Sequence, residues 1–265
     1  RPEQFGLEWP HCCTTLNAVI ADSAPVTDTT GLQLSEPFRG WFTSRGWQPR
    51  AHQLQLLAET AKGRSMLLIA PTGAGKTLAG FLPSLTELTA RGKPKPGAAG
   101  FRSLHTLYVS PLKALAVDIE RNLARPGEEM GLPVRIETRT GDTPQSKRAR
   151  QRSDPPDILL TTPEQVSLLI ANQHAERLFS GLRYVIFDEL HSLIASKRGH
   201  LLSLALARLR KLAPGLRTIG LSATVADPEE LQRWLVPQSP LTDALSGRIT
   251  VAGGTSPVIT ILESA

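Results

Sequence analysis

The sequence predicts an α/β fold, in which a doubly wound, mostly parallel β-sheet is flanked by helices. Short apolar runs alternate with longer segments of helical periodicity along most of the chain, and this alternation is typical of strand–helix repeats. The predicted strands are continuously apolar, as expected for parallel strands that are covered on both faces. A glycine-rich turn at residues 72–77 joins the first strand to a helix, which also fits this class.

Each element follows from its local pattern. Apolar residues at helical spacing predict two short helices before the first strand; they are Phe38, Trp41 and Phe42, then Leu54, Leu57, Ala58 and Ala61. The predicted strands are residues 65–70, 104–110, 134–138, 157–161, 183–188 and 217–222. The predicted helices are residues 76–91, 112–124, 144–151, 163–171, 198–213 and 227–235.

Three segments are predicted along the chain. Residues 1–33 show no period and are rich in Thr, Asp, Ser and Pro, so we expect a weakly ordered lead-in. Residues 34–240 form the α/β domain. Residues 241–265 contain two short β-like runs, ITVA and VITIL. These runs predict a C-terminal extension, either a final hairpin or the start of a connection to a second domain.

Composition places the chain among ordinary globular proteins. Of its 265 residues, 40% are hydrophobic and 20% are charged, which is enough for a sizeable core. The net charge of +6 favours polyanionic partners only weakly. The adjacent Cys12 and Cys13 provide neither a disulfide framework nor a C-x-x-C zinc spacing. No apolar run approaches the ~20 residues of a membrane span, so we expect a cytoplasmic protein with no membrane partner.

The segment APTGAGKT, residues 70–77, is the most informative part of the sequence. It lies between a predicted strand and a predicted helix, where backbone N–H groups converge on phosphate. Lys76 can reach the β- and γ-phosphates of a nucleoside triphosphate, and the Thr77 hydroxyl can ligate Mg²⁺. The usual first glycine is Ala70 here, so a plain glycine-rich turn is the alternative. The predicted nucleotide contacts of this loop are Thr72, Gly73, Ala74, Gly75, Lys76 and Thr77.

A second group, Asp188-Glu189-Leu190-His191, directly follows an apolar strand. A carboxylate at a strand end, on the sheet that carries a phosphate loop, is suited to hold Mg²⁺. We therefore assign Asp188 to Mg²⁺ and Glu189 to the water that attacks the γ-phosphate, with Lys76 as the third catalytic residue. The alternative is that these acids cap the following helix.

Three further residues are predicted to couple the nucleotide site to the rest of the domain. Ser222 and Thr224, in the sequence Ser-Ala-Thr, follow a predicted strand and offer hydroxyls to the acidic group. His191 would link the γ-phosphate end to this motif. The alternative for His191 is a histidine that only packs beside the site, and Ser-Ala-Thr alone is a common sequence.

Together with Gln53, these motifs resemble the first RecA-like domain of a superfamily 2 DExH-box helicase. The stretches SPLKALAVD, RTGDT, TTPEQ and SKRG narrow the resemblance to the large helicase-related (Lhr) family. Its bacterial ligase-associated branch is the most similar. The resemblance covers residues 34–237, and its motifs occur in order. It implies a RecA-like P-loop NTPase fold, with ATP and Mg²⁺ as cofactors.

The resemblance also implies contacts outside the phosphate loop. Residues 47–53 resemble the adenine-recognition segment, with Arg50 and Gln53 as cofactor contacts; Gln53 offers both a donor and an acceptor to a base edge. Six residues match segments that hold one nucleic-acid strand through its phosphates; they are Pro111, Lys113, Thr140, Gly141, Thr162 and Pro163. A cap or turn role is the alternative for each of these six. The basic run at residues 147–152 is a candidate DNA-binding patch, but a solvated helix face explains it at least as well.

The resemblance implies two partners that the chain itself does not provide. One is single-stranded or partly duplex nucleic acid, for which the family favours DNA over RNA. The other is a second RecA-like domain, because nothing after Thr224 resembles it. We expect the chain alone to bind ATP weakly and to hydrolyse it near background. A nucleotide-binding module without turnover is the competing interpretation. The sequence contains no Asn-Lys-x-Asp guanine motif, which disfavours a GTPase.

Overall fold

The computed structural model describes residues 34–92, 102–223, 225–239 and 243–252. Their strands are β1 (Met66–Ile69), β2 (Thr106–Val109), β3 (Ile136–Arg139), β4 (Ile158–Thr161), β5 (Tyr184–Phe187), β6 (Arg217–Ser222) and β7 (Gly247–Thr250). Their helices are α1 (Glu36–Ser44), α2 (Ala51–Ala61), α3 (Lys76–Arg91), α4 (Lys113–Glu129), α5 (Gln145–Ser153), α6 (Pro163–Ile170), α7 (Ala175–Phe179), α8 (Leu190–Ile194), α9 (Lys197–Leu212) and α10 (Pro228–Trp234).

The seven strands form one sheet in the order β3-β4-β2-β5-β6-β1-β7, and every pairing is parallel. This confirms the predicted doubly wound α/β fold. Side chains alternate between two buried clusters along each central strand. In β2, for example, Leu107 and Val109 lie in one cluster and Tyr108 lies in the other. Because helices cover both clusters, the strands are apolar on both faces.

The strand β7 comes from the segment predicted as a C-terminal extension. Gly247–Thr250 pairs in parallel with β1, with Met66 opposite Gly247. The run ITVA therefore contributes to the edge of the main sheet in this structure. The second run, VITIL, and the predicted lead-in at residues 1–33 lie outside the described residues.

Two short helices were not predicted from the sequence. Helices α7 and α8 have five residues each, which is too short for a 3.6-residue period to be recognised. The predicted helix at 112–124 continues to Glu129. These differences do not alter the predicted parallel sheet or the position of the motifs at the carboxyl ends of its strands.

The parallel arrangement places the carboxyl ends of all seven strands at one edge of the sheet. Strands β1, β5 and β6 are followed by the phosphate loop, the acidic group and the serine motif. Strands β2, β4 and β3 are followed by the three segments that were predicted to hold a nucleic-acid strand. Because β5 lies between β2 and β6, the two groups meet there.

Candidate nucleotide and nucleic-acid site

The phosphate loop turns between β1 and α3 on two glycines in the left-handed region. The φ angles are 79° at Gly73 and 75° at Gly75, where a side chain would be strained. The Lys76 Nζ donates to the carbonyls of Ala70 and Pro71 at 2.8 and 3.1 Å. The loop therefore holds the ammonium against its own backbone, at the start of a helix that favours anions.

The beginning of α2 contacts this loop through three side chains. Arg50 donates to the Gly73 carbonyl at 3.2 Å, and a ring nitrogen of His52 lies 2.9 Å from the Ala74 carbonyl. Gln53 is 3% exposed; its amide group donates to the Gly75 carbonyl at 3.4 Å and accepts from the Arg50 N–H at 2.9 Å. The adenine contact assigned to Gln53 stays a prediction, because its side chain here supports the loop.

His52 is a loop contact that sequence reasoning missed. Burial lowers the pKa of His52, while its hydrogen bond to the Ala74 backbone opposes that shift. A neutral imidazole can donate to this carbonyl through one nitrogen only. Its position next to Gln53 is the only sequence signal that could have indicated the contact.

The acidic group lies at the end of β5. Asp188 is 5% exposed, and the Tyr108 hydroxyl donates to its carboxylate at 2.5 Å. Burial raises the pKa of Asp188, and the Tyr108 hydrogen bond acts against this rise. Sequence reasoning missed Tyr108, which belongs to the core of the neighbouring strand. Among the residues described, Glu189 is the only non-glycine residue with positive φ, at 44°.

Glu189 is the N-cap residue of α8, but its side chain makes no cap hydrogen bond. Glu189 therefore occupies the cap position of the alternative interpretation, although without a side-chain cap bond, and its role in hydrolysis stays a prediction. The Glu189 side chain is 37% exposed, at the same edge as the phosphate loop. Left-handed backbone at a residue with a side chain costs on the order of 1 kcal/mol and occurs most often at functional sites.

A histidine–serine contact joins the acidic group to the serine motif. The His191 Nδ1 lies 2.8 Å from the Ser222 Oγ and 3.6 Å from the Glu189 Oε2. The structure thus brings together two of the three predicted coupling residues. Thr224 lies outside the described residues.

The nucleic-acid segments form the other half of the edge. Lys113 lies at the start of α4, and its Nζ pairs with Asp142 at 3.1 Å. Lys113, Gly141 and Asp142 are exposed, whereas Thr140 and Thr162 are 5% and 4% exposed.

Pro111 is partly exposed and Pro163 is buried. Thr162 is the N-cap residue of α6 but makes no side-chain cap hydrogen bond. A ligand at this edge would therefore meet the backbone and the exposed polar groups of these segments. The side chains of Thr140 and Thr162 are largely buried and less accessible to it.

Two arginines that were not predicted as site residues contact these segments. Arg198, at the start of α9, donates to the Pro111 carbonyl at 3.2 Å and pairs with Glu164 at 2.8 Å. Arg148 donates to the carbonyls of Thr140 and Gly141. Arg198 lies in the stretch SKRG, a family motif to which no role was assigned.

The residues predicted to hold Mg²⁺ are Thr77, which offers a hydroxyl, and Asp188, which offers a carboxylate. Oxygen donors with room for water are the ligands that Mg²⁺ prefers, so these residues fit that ion. Within the described ranges, no group of three or more His, Cys, Asp or Glu side chains could hold a metal. No described helix is long and apolar enough to span a membrane.

Comparison with known families and proteins gives a consistent result. The family model for the DEAD/DEAH box helicase matches residues 50–232. The protein named Lhr helicase/probable uracil glycosylase from Mycolicibacterium smegmatis is 44% identical over 216 residues, which cover 77% of this chain and 14% of that protein. ATP-dependent helicase Lhr-Core from Methanothermobacter thermautotrophicus is 43% identical over 193 residues, covering 69% and 22%.

Solved structures show the same likeness. Lhr helicase from Mycobacterium smegmatis, bound to ssDNA and AMP-PNP, has a TM-score of 0.70 and 39% identity; the match covers 83% of this chain and 28% of that one. The DEAD-box helicase Mss116, bound to ssRNA and UDP-BeF, has a TM-score of 0.63. Its 18% identity supports the fold alone. The chain spans only 14% to 25% of the Lhr relatives it matches.

Proposed function

We propose that this chain, which belongs to the DEAD/DEAH box helicase family and is of the Lhr type, is the ATP-binding lobe of a nucleic-acid-dependent ATPase. The observation that carries the proposal is the division of one sheet edge. The phosphate loop, acidic group and serine motif follow β1, β5 and β6, and the strand-holding segments follow β2, β3 and β4. The ligase-associated branch stays a prediction.

In the nucleotide half, Lys76 would contact the β- and γ-phosphates of ATP, in place of the loop carbonyls that it contacts here. Thr77 and Asp188 would hold Mg²⁺, which would neutralise phosphate charge when bound. Glu189 would orient the attacking water and accept its proton. The exposure of Glu189 and its strained backbone support this role, because its carboxylate lies beside the buried Asp188 without being buried itself.

In the other half, exposed backbone and side-chain groups at residues 111–113 and 140–142 would contact the phosphates of one strand. Phosphate contacts of this kind position a strand without determining its sequence. DNA is our proposed substrate, because the Lhr structure with 39% identity was determined with ssDNA. Single-stranded or partly duplex DNA would then be moved by the longer protein.

Coupling between the halves would run through the region around β5. His191 contacts Ser222 on one side, and Tyr108, from the neighbouring strand β2, contacts Asp188 on the other. The residue after β2 begins the segment that contains Pro111 and Lys113. Only the Tyr108 side chain and the end of β2 therefore lie between Asp188 and the strand-holding segment. A change in charge at Asp188 would reach that segment by this short path.

The described part of the chain contains one RecA-like lobe, and we propose that a second lobe completes the site. In related phosphoryl-transfer enzymes an arginine supplied from another element contributes about 10³ to 10⁵ in rate. We therefore expect this chain alone to hydrolyse ATP near background. Opening and closing of two lobes would couple hydrolysis to strand movement.

The test is ATP hydrolysis by the longer protein with matched DNA and RNA oligonucleotides of one sequence. We expect strong stimulation by single-stranded DNA and weak stimulation by RNA. Equal or greater stimulation by RNA would make the protein an RNA-directed enzyme. Failure of both nucleic acids to stimulate hydrolysis would contradict the proposal and favour a nucleotide-binding module.

A further inference from the structure

Arg139, the last residue of β3, is a buried arginine with few partners. Its side chain is almost fully enclosed, with 5% of the residue exposed. One terminal nitrogen donates to the backbone carbonyl of Arg148 at 3.2 Å. Its Nε is buried without a hydrogen-bond partner among the described residues. A buried donor that is left unsatisfied costs about 1 to 3 kcal/mol, so this arrangement calls for a physical explanation.

The charged neighbours of Arg139 increase this cost. Burial, and next the positive charges of Arg152 and Arg148, lower the pKa of Arg139 to about 10. The Nε of Arg148 is likewise buried without a partner. Within the part of the chain that the structure describes, no carboxylate pairs with Arg139, Arg148 or Arg152. The group therefore places two further positive charges, Arg148 and Arg152, beside one buried guanidinium.

Nearby arginines show that the chain does neutralise charge elsewhere on this surface. Along the same edge strand, Arg150 pairs with Glu137 of β3 at 2.6 Å, and Arg135, just before β3, pairs with Asp154 at 2.7 Å. Buried charges are retained in proteins when they are paired or when they bind a ligand. No acid lies beside Arg139 in the described structure, so this buried charge has no partner of opposite sign there.

The position of this group relates it to the strand-holding loop. Arg148 donates to the carbonyls of Thr140 and Gly141, so this member of the group lies directly beneath that loop. Arg152 follows one helical turn later on the same face of α5 and is partly exposed. It lines a shallow hollow with Asn172 and His174, both of which can donate hydrogen bonds.

We propose that Arg139, Arg148 and Arg152 form an anion site that binds a backbone phosphate of nucleic acid, next to the contacts made by residues 140–142. The planar guanidinium fork is well matched to two phosphate oxygens. This inference rests on the proposed function, because the phosphate belongs to the strand held by the neighbouring loop. Arg148 and Arg152 contact the phosphate, and Arg139 supplies charge from behind.

The test compares Arg152→Gln with Arg121→Gln in the longer protein. Arg152 makes no hydrogen bond or ion pair within the described residues, so its replacement removes neither kind of contact there. Arg121 is exposed on α4, on the opposite face of the sheet, and gives the same change in net charge. Binding of a fluorescein-labelled oligothymidylate is followed by anisotropy over a series of salt concentrations.

The binding constant falls as salt rises, and loss of one phosphate contact makes this dependence less steep: the magnitude of the slope of log K against log salt decreases by about 0.7 for single strands. It follows that Arg152→Gln weakens binding about fourfold at 0.15 M salt and about eightfold at 0.05 M. Arg121→Gln leaves the slope unchanged, because it removes charge far from the strand. Arg152→Lys keeps the slope of the unaltered protein, because lysine retains the positive charge although it lacks the planar guanidinium group.

Three results would overturn the proposal. Equal effects of Arg152→Gln and Arg121→Gln would show a response to bulk charge only. A lower Tm of Arg152→Gln with unchanged oligonucleotide affinity would show that the group pairs with a carboxylate elsewhere in the protein. If the unaltered longer protein bound no oligonucleotide, the proposed function would fail and this site with it.

Discussion

The hydrogen bond between Tyr108 and Asp188 links the core of β2 to the carboxylate that we assign to Mg²⁺. Both residues are buried, with exposures of 0% and 5%, and they lie on neighbouring strands. Replacing Tyr108 with Phe removes the donor but keeps the ring, which stacks on Phe81 with centroids 5.1 Å apart. The change therefore isolates the hydrogen bond from packing.

The size of the effect follows from the charge of the acceptor. Hydrogen bonds to charged groups contribute about 1.5 to 3 kcal/mol, against about 0.5 to 1.5 kcal/mol for neutral pairs. Tyr108→Phe leaves the Asp188 carboxylate desolvated without its donor. We thus expect a loss of about 2 kcal/mol in the free energy of unfolding at neutral pH. In an Asp188→Asn background, the same change acts on a neutral amide and costs about 1 kcal/mol less.

The assay is a double-mutant cycle, measured by chemical denaturation of this chain without nucleotide. Tyr184→Phe is the matched control, because Tyr184 is a buried tyrosine that hydrogen-bonds to Glu87 at the opposite end of the strands. Its cost is expected to be the same with Asp or Asn at position 188. If Tyr108→Phe also costs the same in both backgrounds, the hydrogen bond does not stabilise the Asp188 charge and the reasoning is refuted.

Three further predictions follow from the same edge of the sheet. Asp188→Asn raises the Tm of the nucleotide-free chain, because burial raises the pKa of Asp188 and the charged form is disfavoured in the folded state. This gain in Tm is largest at pH values above the pKa of Asp188 in the folded state, and it shrinks as the pH falls through that pKa. A gain in Tm that grew on acidification would contradict the prediction. Gly75→Ala places a Cβ 2.9 Å from the Gln53 Nε2 at a φ of +75°. We therefore expect ATP affinity, measured by calorimetry, to fall at least about tenfold. Gly73→Ala is the control with the smaller expected effect, because its Cβ meets no atom within 4 Å. Gly220→Ala meets Leu190 and Leu235 side chains at 2.6 and 2.9 Å and lowers the free energy of unfolding by about 1 to 3 kcal/mol; an unchanged denaturation midpoint would show that these leucines move freely.

Most of the fold was predictable because local signals agreed. Continuous apolar strands, helical periods and the glycine turn before Lys76 all indicate the same parallel sheet. Once the strands are parallel, their carboxyl ends lie at one edge, so residues as distant as Lys76 and Asp188 are expected together. The strand β7 was not assigned to the sheet, because four residues beside a glycine pair carry no pairing information.

The contacts that refine the site could not be predicted, because they join residues far apart in sequence. Tyr108 and Asp188 are separated by 80 positions, and Arg198 and Pro111 by 87. Nothing in the local pattern around Tyr108 distinguishes it from any other apolar core residue. The basic run containing Arg148 was left open between a DNA-binding patch and a solvated helix face, since sequence does not reveal which arginines lack an acidic neighbour.

The role of Glu189 provides the most direct test of the proposed function. In the longer protein, ATP hydrolysis with saturating single-stranded DNA is compared between the unaltered protein and Glu189→Gln, alongside binding of a fluorescent ATP analogue. We predict that the substitution reduces hydrolysis by about 10² or more while nucleotide affinity stays within about threefold, because Glu189 acts on water and not on the phosphates. Unchanged DNA-stimulated hydrolysis in Glu189→Gln would contradict the assignment of this sheet edge as the hydrolytic site.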